Sequence, residues 1–285
     1  MITALVSVYG FTEQVYKNIK KIEKQVDRVI IADNSKNKSF FPFGEKIIYH
    51  FNNSNKGISK AFNEILKDNQ FNWCDDDYVV FFDQDTEIPE NHINILINNF
   101  LSIEKKGYKI GCIGPCYYNL SSKKRKKDIK HKKISEHLYM VEQMLTSSLL
   151  SRYGILRNID FWNEALFLDL CDWDLCWRLN NKKYICILSD MTIINHKIGR
   201  GEVKIGFLKV KEGEPIREYY QTRDCIKLLN KSYTPFFYKI RFVMQLSIRP
   251  LIHVLVLSDK KERLNYIKMG FRDFRLNRCG EIEKL

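Results

Sequence analysis

The stretch Tyr-Val-Val-Phe-Phe-Asp-Gln-Asp-Thr at residues 78–86 constrains the fold more than any other. An apolar run, mostly β-branched or aromatic, leads straight into two carboxylates, Asp83 and Asp85, separated by Gln84. An unbroken run of that kind is the pattern of a strand buried on both faces. The carboxylates then stand where the strand ends, and the open ends of such strands are where α/β sheets bind ligands. Two hard oxygen donors there suit Mg²⁺ or Mn²⁺ carrying a diphosphate. The alternative is an Asp-rich turn, in which Asp85 caps the next helix alongside Pro89.

The chain before this stretch alternates apolar runs with helical spacing. Residues 2–8 read as a first buried strand, and residues 12–24 as a helix with Thr12 as N-cap and Val15, Ile19 and Ile22 on one face. A second strand at 28–32 ends in the turn-rich cluster Asp33-Asn34-Ser35. Strand, helix, strand is a βαβ unit and implies a parallel sheet with right-handed crossover. A third strand (46–51), a polar loop (52–57) and a helix (58–66) precede the organising strand. A helix over 90–104 and a strand over 109–113, closed by Gly114-Pro115, follow it. The expectation is a doubly wound, Rossmann-like α/β domain.

A second acidic stretch begins near Glu164 and continues through Asp169, Asp172 and Asp174 to Arg178. From Asp172 onward the spacing is helical, and early carboxylates favour the helix dipole. Asp169 and Asp172, however, have apolar neighbours on both sides (Phe167, Leu168, Leu170, Cys171), and carboxylates so embedded belong in a cleft. Strands are expected at 184–188 and 193–199, and a helix at 217–229. Residues 200–215, rich in glycine and charge, read as a flexible loop and a candidate lid. Residues 235–257 are apolar but interrupted by Lys239, Arg241, Arg249 and Pro250, which suits a membrane interface or a helical pair packed on the domain.

Composition narrows the partners. A net charge of +13 in 285 residues implies an anionic one: phosphorylated substrate, anionic membrane surface or nucleic acid. The basic stretch at 121–133 holds eight Lys/Arg in thirteen residues; it reads as a solvated loop able to meet lipid or diphosphate. It lacks interleaved aromatics or a helix-turn-helix pattern, so nucleic acid is not expected. The eight cysteines form no Cys-x-x-Cys pair and read as reduced thiols, not a zinc or disulfide framework. Met1 leads into residues 2–8 without a basic leader, and no uncharged run could span a bilayer, so a cytoplasmic protein is expected.

Several separated pieces, taken together, resemble the family 2, GT-A-fold glycosyltransferases, and most closely their bacterial rhamnosyltransferase branch. They are Val29-Ile-Ile-Ala-Asp33-Asn34-Ser35, Asn55-Lys-Gly57-Ile-Ser-Lys-Ala-Phe-Asn63 and Phe82-Asp83-Gln84-Asp85-Thr86. Thr146-Ser147, Phe161-Trp-Asn-Glu164 through Asp169, Asp172-Trp-Asp174, Arg178 and His196-Lys-Ile-Gly199 follow. Arg217-Glu-Tyr-Tyr220-Gln-Thr-Arg223-Asp224 and Met269-Gly-Phe-Arg-Asp273 complete the series. Ser148 stands where the branch usually has Gly, Asp224 where it has Asn, and Cys171 where many members have Glu.

The resemblance implies roles for these positions. Val8, Asp33, Asn55, Gly57, Asp83 and Gln84 would bind the nucleotide sugar, and Asp85 with His196 a divalent metal, Mg²⁺ or Mn²⁺. Asp172 would be the general base. Ser147, Glu164, Asp169, Arg178, Arg217 and Arg223 would line the acceptor or sugar pocket. Residues 1–230 would form the transferase domain, with a nucleotide-binding half (1–115) and an acceptor half (116–230). Residues 231–285 would be a basic, amphipathic helical extension. The implied activity is inverting transfer of L-rhamnose from dTDP-rhamnose to a lipid-linked glycan or oligosaccharide during bacterial surface polysaccharide assembly. The enzyme would sit peripherally on the inner face of the plasma membrane, as a monomer or homodimer. The rival readings are a UDP-hexose-dependent relative and a non-catalytic basic module that binds membrane or nucleic acid.

Overall fold

The structure, a computed structural model, describes residues 1–119, 124–125, 132–196, 201–205 and 208–283. The first half runs β1 (Ile2–Val8), α1 (Glu13–Glu23), β2 (Arg28–Asp33), β3 (Ile47–Phe51), α2 (Gly57–Leu66), β4 (Tyr78–Asp83), α3 (His92–Lys105) and β5 (Ile110–Asn119). Short strands β6 (Lys124–Arg125), β7 (Lys132–Ser135), β8 (Leu138–Val141) and β9 (Leu149–Arg152) follow, then α4 (Tyr153–Asn158) and α5 (Cys171–Asn181). The chain closes with β10 (Ile185–His196), β11 (Gly201–Ile205), β12 (Leu208–Glu212), α6 (Arg217–Leu229), α7 (Phe236–Val256) and α8 (Lys260–Arg275).

One mixed sheet carries the fold, in the order β3-β2-β1-β4-β9-β5-β10-β8-β7, with β6 beside β5. Its first four strands are mutually parallel. β9 then enters antiparallel to both β4 and β5, so the sheet changes sense at the edge of the organising strand. Val80 and Phe82 face a core built with α1 and α3, through Ile19, Leu96 and Phe100. Val79 and Phe81 face the opposite core, with Phe62, Ile65, Trp162 and Leu175. Burial on both sides is what the unbroken apolar run at β4 requires.

Thr12 caps α1 as expected, its hydroxyl accepting from the Val15 amide at 3.3 Å. At the C-terminal end α6, α7 and α8 pack on one another, and α8 lies so close to α6 that a Cβ at Gly270 would come within 2.8 Å of the Tyr219 carbonyl. α7 contains no acidic residue and leaves much of its apolar surface exposed. Among the described residues no helix is long and apolar enough to cross a membrane.

Three local expectations change. β5 continues through Gly114-Pro115 instead of ending at 113, because its partner β10 shifts register between Ser189 and Ile193, opposite the residue that lacks an amide donor. For the same reason the two strands expected near 184–188 and 193–199 are one bulged strand. Much of the loop expected at 200–215 is an antiparallel ribbon, β11 with β12, and its sequence alternates apolar and charged residues with a period of two. Of the basic stretch at 121–133, residues 121–123 and 126–131 lie outside the described residues, as do 197–200 and 206–207.

Candidate active site

The parallel strands end together, and their following loops are tied side chain to backbone. Val8 pairs with Asp33 and Ser7 with Asp83 in register, and the Asn34 amide donates to the Val8 carbonyl at 2.8 Å. Gln84 accepts from the Tyr9 amide at 2.6 Å, which joins the β4 loop to the β1 loop. Asp33 is buried and accepts from the Ser35 amide at 2.8 Å and the Ser39 hydroxyl at 3.3 Å, as well as from the hydroxyls of Ser35 and Tyr49. It organises the loop that would border a nucleotide.

Asn34 extends the lattice. Its Oδ1 accepts from Asn52 Nδ2 at 2.9 Å and from the Lys56 amide at 3.1 Å, and its Nδ2 donates to the Gly57 carbonyl at 3.3 Å. Asn55 accepts from the Gly57 amide at 3.1 Å. Gly57 adopts φ +73°, and a Cβ there would stand 2.4 Å from the Phe167 carbonyl. That absence of a side chain lets the Ile58 amide donate to the same carbonyl at 2.8 Å. The β3–α2 loop and the segment leading to the second acidic stretch are therefore in direct contact.

The two acidic stretches meet through Asp83 and Asp172. Asp83 accepts from the Ser147 hydroxyl at 2.6 Å. Asp172 occupies the first turn of α5, which starts after Leu170 in the left-handed conformation at φ +68°. Burial pushes the Asp172 carboxyl up to about 7, against the opposing pull of the Trp173 amide, and the negative charges of Asp83 and Asp169 add to the rise. Tyr117, buried in β5 close to Asp172, is raised to about 12 by burial and by that neighbouring charge. Asp169 in turn is ion-paired with Arg217 at the start of α6, and the pairing raises the guanidinium above its ordinary value. The crevice thus gathers Asp83, Ser147, Asp169, Asp172 and Arg217.

Three other candidates lie behind it. Arg178 donates to the carbonyls of Ile159 (2.5 Å) and Phe161 (2.6 Å) and is ion-paired with Asp174 at 2.7 Å. Arg223 is fully buried between Asp224 (2.8 Å), the Tyr219 hydroxyl (3.1 Å) and the Gly280 carbonyl (2.9 Å). Asp224 then accepts from the Phe167 amide at 3.2 Å, and Tyr220 stacks on the Phe167 ring with centroids 4.5 Å apart. Glu164 accepts from Asn63 on α2 at 2.8 Å and from Lys67 just after it at 3.0 Å; burial works against its ionisation, but these donors prevail and lower its pKa. In this arrangement the three hold the 159–170 segment in place. Asn34, Tyr117, Phe167 and Asp224 do work here that the sequence reading gave no separate role, because each acts through a backbone or buried contact.

Asp85 is exposed just past the end of β4, and an isolated antiparallel bridge joins Glu87 to Asn195. The bridge brings the end of β10, and so the backbone of His196, alongside the 85–87 segment; the His196 side chain lies outside the described residues. Carboxylate oxygen, as Asp83 and Asp85 supply it at the end of β4, is the donor type that fits a hard divalent cation completed by phosphate oxygens. A softer set lies deeper in the core: the ligand atoms of Cys112, Cys176 and Cys186 are within 4.8 Å of one another, all buried. Sequence spacing conceals that set, since Cys112 and Cys186 meet only through the β5–β10 register.

Ser148 takes φ +64°, a conformation that favours glycine, and its hydroxyl is 2.6 Å from His92 Nε2. Thr192 holds the other ring nitrogen at 2.6 Å, and burial depresses His92 to about 4, so the ring is neutral.

With this geometry the chain can be set beside known proteins. It is 26% identical over 265 residues, 88% of this chain and 86% of the other, to a protein named dTDP-rhamnosyl transferase RfbF of Shigella flexneri. Among solved structures it is similar to S. aureus TarS residues 1–349 in complex with UDP-GlcNAc (TM-score 0.59, 13% identity, 97% of this chain and 81% of that one). It is also similar to GalNAc-T7 with UDP, GalNAc and Mn²⁺ (TM-score 0.59, 10% identity), where it covers 97% of itself and spans 56% of the other chain. The fold is therefore that of the GT-A glycosyltransferases, with helices added at the C-terminal end. The family model for glycosyl transferase family 2 matches residues 3–160, more than half the chain, and the protein belongs to that family.

Proposed function

We propose that this glycosyltransferase moves L-rhamnose from dTDP-rhamnose onto a hydroxyl of a lipid-linked glycan, with inversion, in bacterial surface polysaccharide assembly. The observation that carries the reading is the gathering of Asp83, Asp169 and Asp172 at one crevice in a member of this family, with burial raising the Asp172 carboxyl. The identity to dTDP-rhamnosyl transferase RfbF supports the choice of donor.

Asp172 takes the proton of the acceptor hydroxyl as that oxygen attacks the anomeric carbon. A base with a pKa near the working pH is both ionised and strong enough for the task, a contribution on the order of 10²–10⁴ in rate. The new C–O bond forms as the bond to the diphosphate oxygen breaks, and the nucleoside diphosphate departs on the opposite side. One base and no carboxylate nucleophile give inversion. Val8, Asp33, Asn55, Gly57, Asp83 and Gln84 border the nucleotide sugar, and Ser147 fixes Asp83. Asp85 and His196 would hold Mg²⁺ or Mn²⁺, which as a Lewis acid stabilises charge on the leaving diphosphate. Asp169 and Arg217 form the acceptor side of the crevice, and the β11–β12 ribbon excludes water. The basic C-terminal helices keep the enzyme at the anionic inner surface of the plasma membrane.

A second reading, transfer from a UDP-hexose, takes its support from the relatives solved with UDP or UDP-GlcNAc. Nucleotide release from a panel of dTDP- and UDP-sugars, with and without EDTA, tests both. The expected result is cation-dependent use of dTDP-rhamnose. Preference for a UDP-hexose would replace the donor, and activity undiminished by EDTA would remove the metal.

A further inference from the structure

Between α6 and α7 lies a cavity of about 680 Å³. Its volume falls within the roughly 300–1,000 Å³ of small-molecule sites. One wall is an apolar stripe of α7 made of Phe237, Ile240, Met244 and Ile248. A helix in a globular protein normally buries such a stripe, yet Phe237 is 68% exposed, Met244 55% and Ile248 49%.

The polar wall is cationic. Arg217, Arg241 and Arg249 line it, with Glu214 and Glu218 as the acidic members. Glu218 is already matched by His253 at 2.6 Å, Arg263 at 3.4 Å and Arg249 at 3.8 Å, so positive charge is in excess around it. Two of its arginines also touch residues of the second acidic stretch. Arg217 is ion-paired with Asp169, and Arg241 lies over the ring of Trp173, 5.3 Å from its centroid, next in sequence to Asp172.

We propose that this groove seats the lipid of the acceptor: a polyprenyl diphosphate whose chain lies along the α7 stripe and whose diphosphate meets Arg241 and Arg249. The proposal rests on the lipid-linked acceptor of the proposed function and names where that acceptor sits. A hydrocarbon tail accounts for the open apolar wall, a multiply charged head for the arginines, and attachment of the sugar to that head for the approach to Asp172. A bilayer surface or a second copy of the chain would use the apolar face but would not account for a ligand-sized hollow whose arginines reach Asp169 and Trp173.

Calorimetry on the full chain, with farnesyl diphosphate and inorganic pyrophosphate as separate probes, tests this without any donor present. Farnesyl diphosphate is expected to bind at least about tenfold tighter than pyrophosphate, because the tail buries apolar surface. The double variant Met244→Glu/Ile248→Glu, at exposed positions, is expected to weaken farnesyl diphosphate about tenfold or more and to leave pyrophosphate unchanged. Arg241→Gln is expected to weaken both probes, and dTDP binding is expected to be the same in all variants. Equal affinity for the two probes, or farnesyl diphosphate binding indifferent to the double variant, overturns the proposal. Unchanged probe binding together with loss of a dimer in light scattering assigns the groove to a second copy; unchanged probe binding with loss of binding to phosphatidylglycerol vesicles assigns it to the membrane. Consumption of dTDP-rhamnose, measured separately on the native chain, reports on the parent reading and is independent of the prenyl probe.

Discussion

Asp172 and Asp174 occupy the same first turn of α5 and live in opposite surroundings. Asp174 is buried against cation and donors: Arg178 at 2.7 Å, the Tyr233 hydroxyl at 2.6 Å and Asn163 at 3.2 Å. Asp172 faces like charge from Asp83 and Asp169, and burial raises it to about 7. The same residue type is a fastener on one face of a helix and a raised carboxyl beside like charge on the other, and the difference lies in what each carboxylate meets. The contrast extends outward. Behind the crevice Asp224 is matched by Arg223; within it Asp169 is matched by Arg217, while Asp172 meets the like charges of Asp83 and Asp169.

The sharpest attempt to break that contrast is to exchange consequences between the two positions. Asp172→Asn is expected to cut transfer on the order of 10²–10⁴-fold while leaving dTDP binding intact, as read by steady-state kinetics and calorimetry. It should also raise thermal stability at neutral pH. A carboxyl raised in the folded state remains protonated after its unfolded counterpart ionises, so stability falls as pH climbs from near 4 to about 7 and stays lower above that. The amide escapes this loss, and an unchanged Tm at pH 8 would argue against the burial described. Asp85→Ala is expected to lower transfer about 10²–10³-fold and to flatten its response to added Mn²⁺.

On the structural side, Arg178→Lys should cost about 3 kcal/mol in urea denaturation, since lysine lacks the fork that reaches Ile159, Phe161 and Asp174 together. Activity per folded molecule should survive; a specific loss of turnover would move Arg178 into the chemistry. A milder probe is the pH profile of transfer. It should rise through about pH 7 with unit slope, and Asp83→Asn should move the midpoint downward by removing a neighbouring negative charge. The smallest effect is expected for Ser148→Gly. Glycine relieves φ +64° by about 1 kcal/mol, but the hydrogen bond to His92 is lost, so the net change should stay within about 1 kcal/mol.

Much of this arrangement is legible in the sequence because it depends on local pattern. The apolar run of β4, the Thr12 cap and the periodicity of α6 each report a backbone state through neighbouring residues. The switch to antiparallel pairing at β9 is not legible, since Leu149–Arg152 is as short and apolar as a parallel strand. Nor is the continuity of β5 through Gly114-Pro115, where a proline signals an end unless a partner bulges to accommodate it. At the site, the two acidic stretches are legible as separate features, at a strand end and a helix start, whereas the approach of Asp83 to Asp172 depends on the tertiary fold. The Asn34 lattice and the anchoring of Arg178 and Arg223 are not legible either, because a long side chain that grips distant carbonyls has the same sequence signature as one that grips a ligand.

The contact between Gly57 and Phe167 bears on how such enzymes can be re-engineered. Because the Ile58 backbone amide closes onto the Phe167 carbonyl, with no side chain intervening at Gly57, the β3–α2 loop and the 159–170 segment share a joint that tolerates almost no slack. A chimera that grafts residues 159–172 from a relative should bring the matching 52–58 loop with it, or the graft will strain this joint.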